Sequence, residues 1–248
     1  MTEPRTGPER QPASPVPVRL VVINGGVSDP SSTRLLTDRI AQKSIDALSA
    51  SGAGAEVSTI SLGPIAVDIA RSLVSGFPAE KVQSAIGRLA GADAVIAGTP
   101  VYKAGVSGLF KSFADLIDND LLLAKPVVLA ATGGSGRHAM VVDEHLRPLF
   151  AFLRAIPVPT SIYAAPEDWG TSELGRRIDR AAAELSAVVR SGIPADIADR
   201  NWARHDHQFA GNATRADRSG TDIDFGSELM RLAVGGSGGT LGGERVDG

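Results

Sequence analysis

The chain has 248 residues, of which 43% are hydrophobic and 21% charged, and its formal net charge is −3. This composition is typical of a globular protein with a buried core, and it lacks the broad positive field that favours binding to nucleic acid or to a membrane surface. Because the chain contains no cysteine, disulfide frameworks, thiolate nucleophiles, cysteine-ligated zinc and cysteine-held iron–sulfur clusters are excluded. Small molecules and other proteins remain as partners.

Residues 1–17 are rich in proline and polar side chains and predict a disordered N-terminal tail. They lack the apolar stretch of a signal peptide, and no long uncharged apolar run occurs in the sequence, so we expect a cytoplasmic protein without a membrane span. At Val18 the sequence changes to VRLVVING, a β-branched run typical of a strand buried on both faces of a parallel sheet. The folded domain is predicted to begin there.

Strand and helix patterns then alternate as far as residue 193. Strands are predicted at 18–25, 55–62, 92–100, 125–134 and 156–164, and helices at 32–49, 78–90, 106–118, 137–155 and 172–190, with a longer loop between 62 and 78. Five β/α units in series predict an α/β fold with a doubly wound parallel sheet. Five strands favour the flavodoxin-like three-layer sandwich, with strand order 2-1-3-4-5, over a six-stranded dinucleotide fold.

After residue 193 the alternation stops, and residues 194–248 are predicted to form a C-terminal extension of the 18–193 domain. Residues 225–234 have apolar side chains at helical spacing, which indicates a docking helix for the protein's own surface or for a neighbouring subunit. The alternative is a marginal helix, because so short a segment is rarely stable alone. The glycine-rich end predicts disorder.

In a doubly wound sheet, ligands bind beyond the carboxyl ends of the strands, where the strand order reverses. The candidate site therefore consists of the loops after the first, third and fourth strands, which read NGGVSDPSSTRLL, GTPVYKAGVSG and ATGGSGRHAM. The first loop combines hydroxyl groups with backbone N–H groups at a helix start, which suits a phosphate monoester. The alternative is that Ser31 or Ser32 only caps the helix. Because neither GxxxxGK[ST] nor GxGxxG occurs, a phosphate held by hydroxyls indicates a mononucleotide.

The second loop is stiffened by Pro100, which fixes its own φ and holds Thr99 extended. This path favours a planar ligand against Val101 and Tyr102, while Lys103 adds a positive charge. In the third loop, glycines allow backbone N–H groups to converge on a partial negative charge. The alternatives are that Tyr102 only covers the sheet end, that Lys103 is solvated, and that the glycines serve a tight turn.

Together, GTPVYKAGVSGLFKSFADL, the ATGGS segment with its downstream LRP, and the serine-rich first loop resemble the NAD(P)H-dependent FMN reductases of two-component flavin monooxygenases, such as the alkanesulfonate system. The likeness covers roughly residues 18–164. It implies a flavodoxin-like NAD(P)H:FMN oxidoreductase that transfers hydride from NADPH or NADH to flavin N5 and supplies reduced FMN to a partner monooxygenase. The C-terminal extension is compatible with the subgroup that serves luciferase-like flavin-dependent enzymes.

The resemblance also implies which residues bind FMN and how the chain assembles. The phosphate would be surrounded by Ser28, Ser31, Ser32, Thr33 and Arg34, the isoalloxazine edge by Pro100, Val101, Tyr102 and Lys103, and the pyrimidine end by Thr132, Gly133, Gly134 and Ser135. A homodimer or homotetramer is implied, without nucleic-acid or membrane partners. Val106 stands where alkanesulfonate-type members have a tyrosine, so that tyrosine's role is not transferred.

Hydride transfer between stacked rings needs no protein nucleophile, so no residue is predicted as a catalytic acid or base. No metal site is predicted either, because the HDH sequence at 205–207 lacks a third well-spaced ligand. Two alternatives stay open: an NAD(P)H quinone or azo reductase with tightly bound FMN, and a non-catalytic flavodoxin-like electron carrier. NADPH and NADH both stay open as donors.

Overall fold

The computed structural model describes residues 16–198. Most of the predicted N-terminal tail and most of the predicted C-terminal extension, including the docking helix at 225–234, lie outside the described residues. The division of the chain into a tail, an 18–193 domain and an extension therefore stays a prediction.

The strands form one sheet, and most of them run parallel. In chain order they are β1 (Val18–Asn24), β2 (Ala55–Ser61), β3 (Ala94–Tyr102), β4 (Gly105–Val106), β5 (Pro126–Thr132), β6 (Ile156–Pro157) and β7 (Ile162–Ala164). The order across the sheet is β2-β1-β3-β5, and the free side of β5 pairs with both β6 and β7. Since β6 and β7 together occupy the fifth position, the predicted flavodoxin-like order 2-1-3-4-5 is confirmed.

The helices cover both faces of this sheet. They are α1 (Ser32–Ala50), α2 (Ala66–Ser75), α3 (Glu80–Ala90), α4 (Gly108–Ala114), α5 (Arg147–Phe152), α6 (Ser172–Arg190) and α7 (Ile193–Asp196). The bounds of α6 are those predicted, and α1 ends one residue later than predicted. Both are long helices with a side-chain cap, from Ser31 in α1 and from Thr171 in α6, and such signals are readable in a sequence.

Alternate side chains of the central strands enter two hydrophobic cores, one on each face of the sheet. Leu20 and Val22 of β1 belong to the core under α1 and α6, whereas Val21 and Ile23 belong to the core under α2, α3, α4 and α5. The helices contribute Leu36, Ile40, Ile178 and Leu185 to the first core, and Ile69, Ile86, Phe110, Phe113 and Phe150 to the second. This three-layer packing leaves the strand ends to carry the loops.

The segment predicted as a long loop contains α2, so that prediction was wrong. Ile69 on this helix is buried, but Val67 and Val74 are 72% and 91% exposed. These exposed valines are β-branched and have low helix propensity, and α2 begins without a side-chain cap, so the usual signals of a helix start are missing from the sequence. The 3₁₀ turn before α2 contains Gly63 and Pro64, which are residues typical of loops.

The predicted helix over 137–155 is broken into three pieces. A 3₁₀ turn covers Gly136–His138, a π-helical turn covers Val142–Leu146, and only then does α5 begin. Pro148 in the first turn of α5 has no N–H group to donate to the carbonyl four residues earlier, and its ring would clash there. The wider π turn ends at Leu146, two residues before this proline, where a regular helix is disfavoured.

The fifth strand position is interrupted at residues 158–161, between β6 and β7. The polar groups of this interruption bond to neighbouring helices: the Glu184 carboxylate accepts hydrogen bonds of 2.8 Å from the backbone N–H and from the hydroxyl of Thr160. The Arg147 guanidinium donates to the backbone carbonyls of residues 158 and 159 at 3.1 and 3.2 Å. Side chains from α5 and α6 thus replace the missing strand pairing.

Candidate functional site

The three predicted loops lie at one edge of the sheet, because the carboxyl ends of β1, β3 and β5 are neighbours. In the parallel register Asn24 of β1 is opposite Gly98 of β3, and Pro100 of β3 is opposite Thr132 of β5. The chain beyond these residues forms the 25–31 loop, the β3–β4 hairpin (residues 101–106) and the 133–141 segment.

A hydrogen bond between two side chains joins the first and third of these regions. The hydroxyl oxygens of Thr33 in α1 and Thr132 in β5 are 2.7 Å apart, and the two residues are only 2% and 4% exposed. Each hydroxyl therefore satisfies the other in a place that water does not reach. Both residues were predicted as ligand contacts, and this bond makes them the tie that holds the start of α1 against the end of β5.

The 25–31 loop is shaped by a residue that sequence reasoning missed. Asn24 is 4% exposed, and its side-chain oxygen accepts a hydrogen bond of 3.1 Å from the N–H of Gly26. The N–H of Gly25 donates to the carbonyl of Gly98 at 2.8 Å. A Cβ added to Gly26 would overlap the Ser31 hydroxyl, so the loop is packed closely against the helix start. Asn directly after a buried strand was the available signal, since Asn often bonds to the backbone two residues on.

The start of α1 presents donors towards solvent. The Ser31 hydroxyl accepts a hydrogen bond of 3.2 Å from the N–H of Arg34, so Ser31 is the N-cap. Ser28 and Ser32 are exposed, and within residues 16–198 their hydroxyls make no hydrogen bond. The first turn of α1 contains no acidic residue. Its positive end is therefore not neutralised locally, which favours an anion there.

Arg34 is directed along the helix surface. Its Nε donates to both carboxylate oxygens of Asp38 at 2.8 Å, and both side chains are about half exposed. The ion pair spans one helical turn, the spacing at which such pairs form. The only predicted phosphate contact with a permanent charge is thus engaged by a carboxylate of its own helix.

The β3–β4 hairpin carries the second set of predicted residues. Tyr102 pairs with Gly105 and Val101 with Val106, so Lys103 and Ala104 form a two-residue turn with φ values of 50° and 61°. Two left-handed residues are the signature of a type I′ turn, for which Asn-Gly is the preferred sequence. This turn was not predicted, because Lys-Ala gives no such signal.

The predicted residues of the second loop differ in exposure. Pro100 is buried and Val101 half-buried, whereas Tyr102 is 53% exposed and Lys103 is exposed. Only the last two can offer most of their surface to a ligand. Pro100 contributes through the path it imposes on the chain.

The base of the hairpin is fixed by a small buried network. The Thr99 hydroxyl accepts a hydrogen bond of 3.1 Å from the N–H of Ser107, and the Ser107 hydroxyl accepts one of 3.2 Å from the N–H of Phe110 as the N-cap of α4. Val106 is half-buried against the core. The hairpin is therefore held at its base while its tip stays accessible.

The 133–141 segment supplies free backbone donors. The N–H of Gly133 donates to the carbonyl of Ala164 at 3.2 Å and so belongs to the sheet. The next two N–H groups, of Gly134 and Ser135, donate to no acceptor within the described part of the chain. Two adjacent free donors beyond a strand end suit an acceptor with partial negative charge.

Residues 16–198 contain neither a cluster of metal-binding side chains nor a membrane-spanning helix. Over this range no cluster of three or more histidine, aspartate or glutamate side chains is arranged to hold a metal ion, and the HDH sequence at 205–207 lies outside it. None of the helices in the same range combines the length and the apolar character needed to cross a membrane.

Comparisons with known proteins identify the family. The family model for NADPH-dependent FMN reductases matches residues 18–170. The chain is 36% identical over 181 residues to an FMN reductase (NADPH) from Pseudomonas aeruginosa, covering 71% of this chain and 94% of that protein. It is 35% identical over 178 residues to the NADH-dependent FMN reductase SfnF from Pseudomonas putida, covering 70% and 94%.

A solved structure agrees with these sequence matches. An oxidoreductase from Corynebacterium diphtheriae superposes with a TM-score of 0.68 at 40% sequence identity, covering 70% of this chain and 97% of the other. The matched residues include β1 to β7 and all three regions of the candidate site. The chain therefore belongs to the NADPH-dependent FMN reductase family, and it is an NAD(P)H-dependent oxidoreductase that acts on FMN.

Proposed function

We propose that the protein holds FMN loosely, as a substrate, and releases reduced FMN to a separate flavin-dependent monooxygenase of the luciferase-like type. The observation that carries this proposal is the chemistry of the donor set. At the phosphate end the free groups are neutral hydroxyls and backbone N–H groups, and the one guanidinium at the start of α1, that of Arg34, already pairs with Asp38 at 2.8 Å. Neutral donors bind a phosphate more weakly than charged ones, which favours release.

The placement of FMN in this site is part of the proposal. Its phosphate lies at the start of α1, its ring against the β3–β4 hairpin, and its pyrimidine end at the 133–141 segment. The residues present fit this group: free hydroxyls at Ser28 and Ser32 and an unopposed helix end suit the phosphate, and the free N–H groups of Gly134 and Ser135 suit the ring. Thr33 and Thr132 act mainly by joining the two ends.

When bound, FMN supplies the ring that accepts the hydride, so the protein's task is to orient it and to stabilise its charge. Tyr102 and Lys103 at the hairpin tip limit where the ring can lie. The N–H groups of Gly134 and Ser135 would stabilise partial negative charge at the pyrimidine end by donating hydrogen bonds to it. No side chain needs to give or take a proton at the reacting atom.

The test is a pair of assays on the full-length protein after desalting. We expect NADPH or NADH oxidation to require added FMN, and both donors are measured because the named relatives differ in theirs. In the second assay a flavin-dependent luciferase with its aldehyde is placed in a separate dialysis compartment, so that light requires diffusing reduced FMN. Retained FMN with ping-pong kinetics and no light would instead indicate the reductase with tightly bound flavin.

Variants test the placement of the site. Ser32→Ala and Tyr102→Ala are each expected to raise KM for FMN about three- to tenfold, the effect of one lost hydrogen bond or ring contact. Ser84→Ala is the matched control, because Ser84 is exposed on α3 and outside the three site regions. An unchanged KM for FMN in both site variants would refute the placement.

We also propose that the protein forms a homodimer or homotetramer and works in the cytoplasm, where reduced nicotinamide dinucleotides are supplied. Exposed apolar side chains around the site support the assembly: Val27, Leu35, Tyr102 and Met140 are 53–57% exposed. Such a group is more typical of an interface than of a fully solvated edge. Light scattering coupled to gel filtration measures the assembly, and a monomer at micromolar concentration would contradict it.

A further inference from the structure

Tyr163 in β7 lies beneath the 133–141 segment. The residue is 5% exposed and pairs with Ala131 of the neighbouring β5. Its hydroxyl donates a hydrogen bond of 2.6 Å to the backbone carbonyl of Ser135. A buried tyrosine hydroxyl needs a polar partner, and this one takes a carbonyl beyond the end of the strand.

The same hydroxyl explains why position 133 is glycine. A Cβ added to Gly133 would overlap the Tyr163 hydroxyl, and it would lie 3.2 Å from Cζ and 3.4 Å from Cε2 of the ring. The φ angle of Gly133 is not in the left-handed region, so the backbone conformation does not require glycine. The close approach of the tyrosine does.

The strand β7 therefore holds residues 133–135 at both ends. At one end the Gly133 N–H donates to the carbonyl of Ala164 at 3.2 Å, and at the other the Tyr163 hydroxyl holds the Ser135 carbonyl. Between these two bonds lie the free N–H groups of Gly134 and Ser135. A peptide unit is planar, so a carbonyl held in place also limits the rotation of the peptides beside it.

We propose that Tyr163 is a positioning residue for the flavin ring, which it orients through the backbone of residues 133–135 without contacting the flavin. This inference rests on the proposed function, because it assumes that the free N–H groups bind the pyrimidine end of FMN. Donors held in place before binding lose less conformational entropy when the ligand arrives. Tyr163 thereby sets the affinity for FMN and leaves the binding of the nicotinamide donor unchanged.

The first experiment compares Tyr163→Phe with the wild-type protein. Phenylalanine keeps the ring and removes only the hydroxyl, so we expect the Kd for FMN and KM for FMN to rise about three- to tenfold, as for the loss of one hydrogen bond. KM for NADPH should not change. In the flavin-free protein, amide hydrogen exchange at Gly133, whose N–H is hydrogen-bonded to the Ala164 carbonyl, should become faster as the segment loosens, and this readout does not depend on activity.

Ser186→Ala is the matched control for loss of a buried hydroxyl. Ser186 is 4% exposed on α6, and its hydroxyl donates to the carbonyl of Ala47 at 3.4 Å. It lies near the C-terminal ends of α1 and α6, away from the site. The control should lower Tm without a change in the Kd for FMN, which separates a general loss of stability from a loss of positioning.

A double-mutant cycle on the Kd for FMN tests the contact itself. Gly133→Ala alone should weaken FMN binding, because its Cβ displaces the tyrosine hydroxyl or the segment. In the Tyr163→Phe background the hydroxyl is absent, so the same change should have a smaller effect. Fully additive effects would overturn the inference. If one single variant folds poorly, the Kd of the other single variant and hydrogen exchange at Gly133 still test the contact.

The outcomes distinguish the two proposals. If the wild-type protein oxidises NADPH without binding added FMN, the proposed function fails. If the wild-type protein binds FMN and Tyr163→Phe binds it with the same Kd and shows the same exchange rate at Gly133, the positioning role of Tyr163 is overturned while the proposed function stands.

Discussion

Several of the side chains predicted to bind the ligand form hydrogen bonds or ion pairs with other groups of the protein. Ser31 caps α1, Arg34 pairs with Asp38, and Thr33 bonds to Thr132. Their side chains are of the types expected at a phosphate site, but their hydrogen bonds place loops relative to one another. Ligand binding is left to the exposed hydroxyls and to backbone N–H groups that these bonds hold in place.

The Thr33–Thr132 bond should be sensitive to the loss of one partner. Thr33→Val leaves the buried Thr132 hydroxyl without its partner, so we expect the free energy of unfolding to fall by about 1–3 kcal/mol in urea denaturation. Thr33→Ser keeps the hydroxyl and should cost less. The double variant Thr33→Val with Thr132→Val should recover part of the loss, and a strictly additive double variant would show that the bond does not couple the two residues.

Tyr163 gives a prediction about pH. Burial, followed by the nearby charges of Glu167 and Asp168, raises the pKa of Tyr163 above the ordinary value of about 10. The folded state therefore holds the proton more tightly than the unfolded state, so this stabilisation is present below about pH 10 and is lost as the pH rises above it.

The tyrosine titration can be measured on one residue. The chain has two tyrosines, so in Tyr102→Phe the ultraviolet absorbance of tyrosinate reports Tyr163 alone. We expect the native midpoint to exceed that of the same variant unfolded in urea. A native midpoint at or below the unfolded one would contradict the burial of the Tyr163 hydroxyl near Glu167 and Asp168.

At the scale of elements, the β3–β4 hairpin has two consecutive residues with a strained backbone. Lys103 and Ala104 both have positive φ, at 50° and 61°, and a left-handed conformation costs about 1–2 kcal/mol for a residue with a Cβ. Glycine at position 104 removes this cost, although it adds entropy to the unfolded chain. Ala104→Gly should therefore raise the free energy of unfolding by about 0.5–1 kcal/mol in urea.

The same substitution in a helix is the control for the hairpin. Ala70 is exposed in α2, where glycine is expected to cost about 1 kcal/mol. Opposite signs at positions 104 and 70 would confirm that the hairpin is strained. A loss of stability at both positions would contradict it.

The interruption between β6 and β7 depends on one arginine of the LRP sequence. Besides the two carbonyls of residues 158–159, the Arg147 guanidinium donates to the Ser161 hydroxyl at 2.6 Å. Arg147→Met keeps most of the side-chain volume but removes all these donors, so we expect the free energy of unfolding, measured in urea, to fall by about 1–3 kcal/mol.

Arg176→Met is the control for this prediction, since Arg176 is an exposed surface arginine paired with Glu173. Its loss should change the free energy of unfolding by no more than about 0.5 kcal/mol. Equal effects of the two changes would contradict the role of Arg147.

Across the described domain, the two edges of the sheet are built differently. The carboxyl edge carries the site loops, whereas the amino edge is fastened by charged side chains. There the Arg19 guanidinium contacts the Asp93 carboxylate at 2.7 Å, and Lys125 donates to the carbonyls of Ala90 and Ala92 at 2.7 and 2.6 Å. These residues join the starts of β1, β3 and β5.

The amino edge predicts a loss of stability in acid. Burial raises the pKa of Asp93, but its hydrogen bonds with Arg19 and the charges of Arg19 and Lys125 outweigh this, so the pKa is lowered overall. The folded state then holds the proton less tightly than the unfolded state. The stabilisation is present above the unfolded pKa of about 3.9 and is lost as the pH falls below it.

Thermal unfolding between pH 7 and pH 2.5 measures this effect. Asp93→Asn and Arg19→Met each remove the interaction, so both should flatten the fall of Tm in acid relative to the wild-type protein. A fall as steep as that of the wild type in both variants would show that the interaction does not contribute to acid sensitivity.

The order of the strands, the bounds of α6 and the positions of the three loops follow from local patterns in the sequence. Buried parallel strands read as β-branched runs, and a capped amphipathic helix has a period that a single segment reveals. The sheet edge at which the loops meet then follows from the alternation of strands and helices. For these reasons the fold class and the meeting of the three loops at one edge of the sheet could be predicted before any contact was known.

The features that sequence reasoning missed depend on contacts between distant segments. The roles of Tyr163 beneath Gly133 and of Arg147 at the interrupted strand come from hydrogen bonds and packing between different elements of the fold. The strained Lys103–Ala104 turn and the exposed valines of α2 even oppose their local preferences. Local propensities are worth about a kilocalorie per mole or less, and burial and hydrogen bonding in the folded chain outweigh them.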